Sequence, residues 1–190
     1  MNAAGPAEWS AILQNCARSF ARGDAAALGR LLDLTAPRLL RYAQTLTRSR
    51  DDAEDAVQAA IVRIAQHPQS LAAAQRPWAY LLKVVRNETL RLMARRQPGL
   101  ALTEDQAARH PAESPLCLRE QQAEVQAALR RLPVEQAEVV VFKIWEELTF
   151  QEIAAITGES PNTVASRYRY ALAKLGTSLR RLAVEVGYVT

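Results

Sequence analysis

The sequence predicts an all-α protein of two small helical domains joined by a flexible linker. Three observations carry that expectation. Apolar residues make up 49% of the 190, but only 6% of residues are aromatic and only seven are glycine. Much of the apolar content is alanine and leucine, which favours amphipathic helices over strands. Apolar residues recur at three- and four-residue spacing, as in Ala53, Val57, Ile61 and Ile64, which is the stripe of a helix with one buried face. Between Gln97 and Pro115 the pattern breaks: QPGLALTEDQAARHPAESP carries three prolines, a glycine and several acids with no sustained period, the composition of a linker. The expected boundaries are 10–97 for the first domain, 98–117 for the linker and 118–185 for the second domain.

In chain order, Asp24 starts a helix through Ala25 to Leu32, and Ala36 to Thr47 continues the helical pattern. Ser49 to Asp51 can cap a third helix through Ile64, which Pro68 stops. Small and polar residues from Gln69 to Gln75 read as a loop. Pro77 then opens a helix to Arg96, in the first-turn position that proline tolerates. After the linker, Cys117 to Arg131 restores the helical pattern, Pro133 interrupts it, and Val134 to Glu147 reads as another helix.

The most informative segment is Thr149 to Leu175, TFQEIAAITGESPNTVASRYRYALAKL. Thr149 with Glu152 three residues on is a capping-box pattern, Gly158 suits a tight turn, and Ser160 followed by Pro161 starts a second helix. At about 100° per residue, Val164, Tyr168, Ala171, Leu172 and Leu175 share a face that should bury against Ile153 and Ile156. The opposite face carries Asn162, Thr163, Ser166, Arg169 and Tyr170, with Arg167 on the flank. A helix-turn-helix whose second helix offers short hydrogen-bonding groups near its start, with cations beside them, suits base edges and phosphates in the major groove. The bland alternative is two packed helices with a solvated outer face.

The Trp78 helix repeats the theme. Trp78, Leu81, Leu82, Val85, Thr89, Leu92 and Met93 lie on one side. Tyr80, Lys83, Asn87, Arg91 and Arg95 lie on the other, with Arg86 at the edge. Six basic residues from Arg76 to Arg96 face one acid, Glu88. Such a face can run along phosphates while Asn87 or Arg91 meets bases. Trp78 reads as core, although Trp78 and Tyr80 could also stack unpaired bases. Asp51, Asp52, Glu54 and Asp55 place four acids within five residues. They suit either the helix dipole or a docking partner.

Other classes are disfavoured. Cys16, Cys117, His67 and His110 show no ligand spacing, so no metal site and no disulfide framework is expected. Paired carboxylates in a pocket-like context, a P-loop and a metal cluster are not found, so neither an enzyme nor a cofactor is expected. The N-terminus lacks the pattern of a secretory signal, and no run approaches the roughly 18 apolar residues of a membrane span. The expected location is therefore the cytoplasm.

Taken together, the segments resemble the bacterial sigma factors of the extracytoplasmic-function group, which retain only the second and fourth sigma domains. DDAEDAVQAAIVRIAQHP resembles the helix that docks on the clamp helices of RNA polymerase. RPWAYLLKVVRNETLRLMARRQ resembles the helix that melts and reads the minus-ten element, and ALRRLPVEQAEVVVFKIWEELTFQEIAAITGESPNTVASRYRYALAKL resembles domain four. The likeness runs in order over about Ala25 to Leu179. It implies polymerase contacts at Asp52, Asp55 and Gln58. Minus-ten contacts fall on the Gln69 to Gln75 loop, Arg76, Tyr80, Lys83, Arg86 and Asn87, with Arg91 beside them. Minus-thirty-five contacts fall on Asn162, Thr163, Ser166, Arg167 and Arg169. The implied partners are core RNA polymerase, through its clamp helices and flap, promoter DNA, and an anti-sigma factor. Departures are Ala59 and Ala60 where the family often has an acid and a larger residue, Arg91 for a frequent aspartate, and Asn162 for a common glycine. The rival reading from the residues alone is a helix-turn-helix regulator that binds a palindromic operator as a dimer.

Overall fold

The computed structural model describes residues 6–95 and 125–185. The expected linker, Cys117, His110 and Arg96 lie outside the described residues. Every regular element among the described residues is a helix, and the chain divides into two compact units, Met1–Thr103 and Glu104–Thr190.

The described residues of the first unit form five helices. α1 spans Pro6–Ala21 and turns at Gly23, whose φ of 99° lies in the region glycine adopts without strain. α2 runs unbroken from Ala25 to Thr47. Its N-cap is Asp24, whose side chain accepts a hydrogen bond from the Ala26 amide at 3.0 Å. The two helical stretches expected on either side of Thr35 are thus one helix with Pro37 inside it. Leu31, Leu39, Tyr42, Ala43 and Leu46 form its inner face. The buried hydroxyls of Thr35 and Thr47 donate to the carbonyls of Leu31 and Ala43, at 2.7 and 3.0 Å. That satisfies polar groups that would otherwise be costly inside.

α3, Arg50–Gln66, starts at Ser49, which accepts from the Asp52 amide at 3.3 Å. Its inner face is mostly small: Ala53, Ala56, Val57, Ala60 and Ile64. Small side chains let α3 sit close between α2 and α5, both of which it packs against. Pro68 does end α3, but it also begins α4, Pro68–Ala73. The expected Gln69 to Gln75 loop is therefore corrected to a short helix through Ala73. Proline at a first helical position loses no needed hydrogen bond, and fully buried Leu71 anchors the turn. α4 is tied to α1 by Gln14 Nε2 donating to the Ala72 carbonyl (3.1 Å) and Gln69 Nε2 donating to the Ala21 carbonyl (2.8 Å). α5, Pro77–Arg95, completes the unit with Trp78, Leu81, Leu82, Val84, Val85 and Thr89 inward.

In the second unit, residues 125–130 form α6 and Val134–Val140 form α7. The expected helix to Glu147 does not continue in α form. From Val141 to Trp145 the turn widens to π geometry, and Glu147 then takes a φ of 54°. α8 (Phe150–Thr157) and α9 (Pro161–Glu185) follow. Leu129, Leu132, Ala137, Val140 and Ala171 form a core cluster on which Val125, Tyr168 and Leu175 pack. Leu172, expected on that face, sits at its edge and is 41% exposed.

Candidate nucleic-acid interface

The junction of α8 and α9 is fixed by local chemistry. Thr149 Oγ1 accepts from the Glu152 amide at 3.3 Å, while the Thr149 amide donates to Glu152 Oε2 at 2.8 Å, closing a reciprocal cap. Gly158, at φ 78°, ends α8 in the left-handed conformation and donates to the Ala154 carbonyl at 2.8 Å. Ser160 Oγ then accepts from the Thr163 amide at 3.1 Å, opening α9. Val164 and Ala171 are fully buried, and Tyr168 tilts against Phe150 with ring centroids 5.7 Å apart. These contacts set the rotation of α9, and hence which residues it presents outward.

Asn162, Arg169 and Tyr170 are exposed, and Ser166 is half-buried. The Thr163 hydroxyl lies 2.8 Å from that of Ser160, so it is engaged in the cap. Arg167 Nη2 donates to Glu159 Oε1 at 3.0 Å, and Arg169 Nη2 reaches Ser166 Oγ at 3.4 Å. The five residues expected to read DNA thus fall along one side of α9, but two of them are already held by neighbours in the turn.

On α5 the expected outer row is present. Lys83, Asn87 and Arg91 are exposed at successive turns, with Tyr80 and Arg86 half-buried and Arg76 exposed just before the helix. Trp78 is not available for stacking on a base. It is 7% exposed, meets Trp9 edge-on at 5.1 Å, and carries the Arg38 guanidinium 4.7 Å from its ring centroid. Arg91 Nη1 donates to Glu88 Oε1 at 2.6 Å, and Arg63 of α3 approaches the same oxygen at 3.6 Å.

The acidic cluster on α3 separates into two roles. Asp55 and Gln58 are exposed, as a docking surface requires. Asp52 is only 3% exposed, which corrects its expected place at the surface. It sits at the third position of α3, and its turn of the helix points toward the core, as do Ala53 and Ala56. Of the two departures on α3, Ala59 is exposed and Ala60 is fully buried, so on this helix only Ala59 alters the surface.

Glu159, Arg63, Trp9 and Arg38 belong to these contacts without standing out in the sequence pattern. Glu88 was visible as the one acid in a basic stretch. The Arg63 and Arg38 contacts join distant parts of the chain and leave no local signal. The exposed apolar pair Ile144 and Trp145 was also missed, because it depends on the π turn. Among the described residues, no group of His, Cys, Asp and Glu side chains could hold a metal, and no helix is long and apolar enough to cross a membrane.

Comparison with known proteins agrees with this geometry. Residues 31–98 match the family model for sigma-70 region 2, and residues 122–175 match that for sigma-70 region 4. The ECF RNA polymerase sigma factor SigL of Mycobacterium tuberculosis is 32% identical over 176 residues, covering 86% of this chain and 95% of SigL. The RNA polymerase sigma-E factor of Streptomyces coelicolor is 30% identical over 141 residues, covering 74% of this chain and 79% of that one. Among solved structures, the sigma factor RpoE of Bartonella quintana, in complex with the anti-sigma factor NepR, superposes with a TM-score of 0.68 at 26% identity. That match covers 80% of this chain and 96% of RpoE.

Two helical units matching regions 2 and 4 define a sigma-70-type transcription initiation factor. Within that class, the chain belongs to the extracytoplasmic-function (ECF) RNA polymerase sigma factors. Its function is to direct promoter-specific transcription by the polymerase.

Proposed function

We propose a division of that function among three helix faces. Asn162, Ser166 and Arg169 of α9 read the minus-thirty-five element in the major groove, with Thr163 holding the helix start and Arg167 contacting phosphate when it leaves Glu159. Arg76, Tyr80, Lys83, Arg86, Asn87 and Arg91, at and before α5, bind the minus-ten element. Asp55 and Gln58 of α3 dock on the clamp helices of core polymerase, and the second unit meets the flap. The single observation that supports this division is that both cation-bearing faces, α5 and α9, point away from the core of their own compact unit. A helix face so placed can meet phosphates without disturbing packing.

In this reading, domain two occupies 10–97, domain four 118–185, and 98–117 links them. The chain supplies binding and orientation only, and the polymerase performs the nucleotide chemistry in the cytoplasm. Holding an extruded base at the minus-ten element offsets an unstacking cost of about a few kcal/mol, by phosphate contacts along α5 and stacking on Tyr80. An anti-sigma factor is a further partner, supported by the solved complex of the similar RpoE with NepR. The stand-alone operator-binding regulator is not favoured, since it gives no account of a region 2 unit.

The test is to mix the purified chain with core polymerase, isolate the complex on a sizing column, and transcribe a genomic fragment library. Co-elution with discrete new start sites is expected. Failure to co-elute, with tight binding of the free chain to a palindrome, would overturn the reading.

A further inference from the structure

Glu88 lies beside the outer row of α5 and is the meeting point of two arginines from different helices. Its side chain is 14% exposed, whereas those of Arg63 and Arg91 are 51% and 50% exposed. One carboxylate cannot neutralise two guanidinium groups, so the cluster keeps a net positive charge. Each guanidinium has five N–H donors in a fixed fork; Glu88 accepts a hydrogen bond from Arg91 at 2.6 Å and attracts Arg63 as an ion pair at 3.6 Å. At half exposure, each fork has donors left to offer to solvent or to an anion. Simple tethering of α3 to α5 is a weak reason for the arrangement. Half-exposed ion pairs add little to stability, and the two helices already pack along their buried faces.

Position gives the cluster its meaning. Lys83, Asn87 and Arg91 are spaced by four residues and form one row on α5. Arg63 reaches the end of that row from α3, through the carboxylate that also holds Arg91. A planar guanidinium fork held in place by a fixed acid suits a phosphate oxygen pair better than a mobile lysine does.

We propose that Arg63 of α3, coupled to Arg91 of α5 through Glu88, forms a phosphate-binding point that extends the promoter surface from α5 onto α3. The proposal rests on α5 being the minus-ten helix. Glu88 is a positioning residue: it touches no DNA, but it orients the Arg91 fork by a hydrogen bond and draws the Arg63 fork beside it by charge.

The experiment uses the full chain assembled with core polymerase and a promoter fragment recovered by transcription selection. Affinity is measured across a range of salt for the wild type, Arg63→Gln, Glu88→Gln and the reference Lys83→Ala. Arg63→Gln is expected to assemble normally with core and to flatten the plot of log affinity against log salt. The change should be about 0.9 for a duplex phosphate or about 0.7 for a single strand, comparable with Lys83→Ala. Glu88→Gln keeps the side-chain shape but releases both cations. It is expected to steepen the slope and raise binding to non-promoter DNA several-fold, so that discrimination falls.

An unchanged slope for Arg63→Gln beside a flattened one for Lys83→Ala would overturn the proposal and leave the α5 reading standing. Unchanged slopes for both would overturn the α5 reading and the proposal with it. Loss of core assembly in Arg63→Gln would place Arg63 on the polymerase face and equally overturn it. Wild-type slope and discrimination in Glu88→Gln would remove Glu88 from its positioning role and overturn the coupling.

Discussion

Trp9 and Trp78 meet edge to face with ring centroids 5.1 Å apart, and the Arg38 guanidinium lies against both rings, at 4.5 and 4.7 Å. One contact thereby joins α1, α2 and α5 at the start of the helix proposed to bind the minus-ten element. Trp9→Ala removes the edge contact and one of the two cation–π partners. It is expected to lower the stability of the first unit by about 2 kcal/mol, combining aromatic pairing, cation–π attraction and lost burial. Urea unfolding, with hydrogen exchange of the α5 amides as readout, checks this.

Glu147 holds a φ of 54° after the π turn, a conformation that L residues adopt only at a cost of about 1–2 kcal/mol. Glycine loses that strain but has more freedom to surrender on folding. Glu147→Gly is accordingly expected to stabilise the second unit by about 0.5–1 kcal/mol. A thermal melt of the variant against the wild type measures it.

Burial separates Asp52 from its neighbours. Asp55→Ala with Gln58→Ala is expected to leave the melting temperature unchanged while weakening core polymerase binding about tenfold, or about 1.4 kcal/mol. Asp52→Ala is expected to lower the melting temperature, because it alters a side chain only 3% exposed. Parallel melting and titration against labelled core polymerase distinguish the two effects.

The Asp24 carboxylate caps α2 and is held below its usual range, chiefly by the hydrogen bond from Arg30 at 2.7 Å. A depressed folded value means that its stabilising effect is present above the unfolded value and fades as pH falls through the folded one. The α1–α2 junction should therefore be insensitive to pH near neutrality and loosen only in acid. Carboxyl NMR titration is expected to find Asp24 below an ordinary aspartate, and Arg30→Gln should move it back up.

Helices that carry their own caps were legible in the sequence. Ser49, Pro77, the Thr149–Glu152 box, Gly158 and Ser160 each announce a boundary through local chemistry. The alternation of buried and exposed positions on α5 also follows from spacing alone. What escaped depends on distant residues. α4 forms because Leu71 is buried and Gln14 and Gln69 bridge it to α1, although its composition suits a loop. The π turn at Val141 interrupts an apolar run whose periodicity gives no warning. Asp52 looks like its acidic neighbours until the rotation of α3 is known. The faces of the candidate interface were readable from spacing, whereas the pairings of Arg91 with Glu88 and of Arg167 with Glu159 depend on how the side chains meet in the folded chain.

In the holoenzyme, α5 and α9 are expected to touch two different promoter elements in one complex. Photo-crosslinkers placed at Asn87 and at Asn162, in separate samples of the reconstituted holoenzyme on a selected promoter, test it most directly. Position 87 is expected to crosslink near the minus-ten element and position 162 near the minus-thirty-five element. Crosslinking of position 87 only to polymerase, or of both positions to the same element, would contradict it.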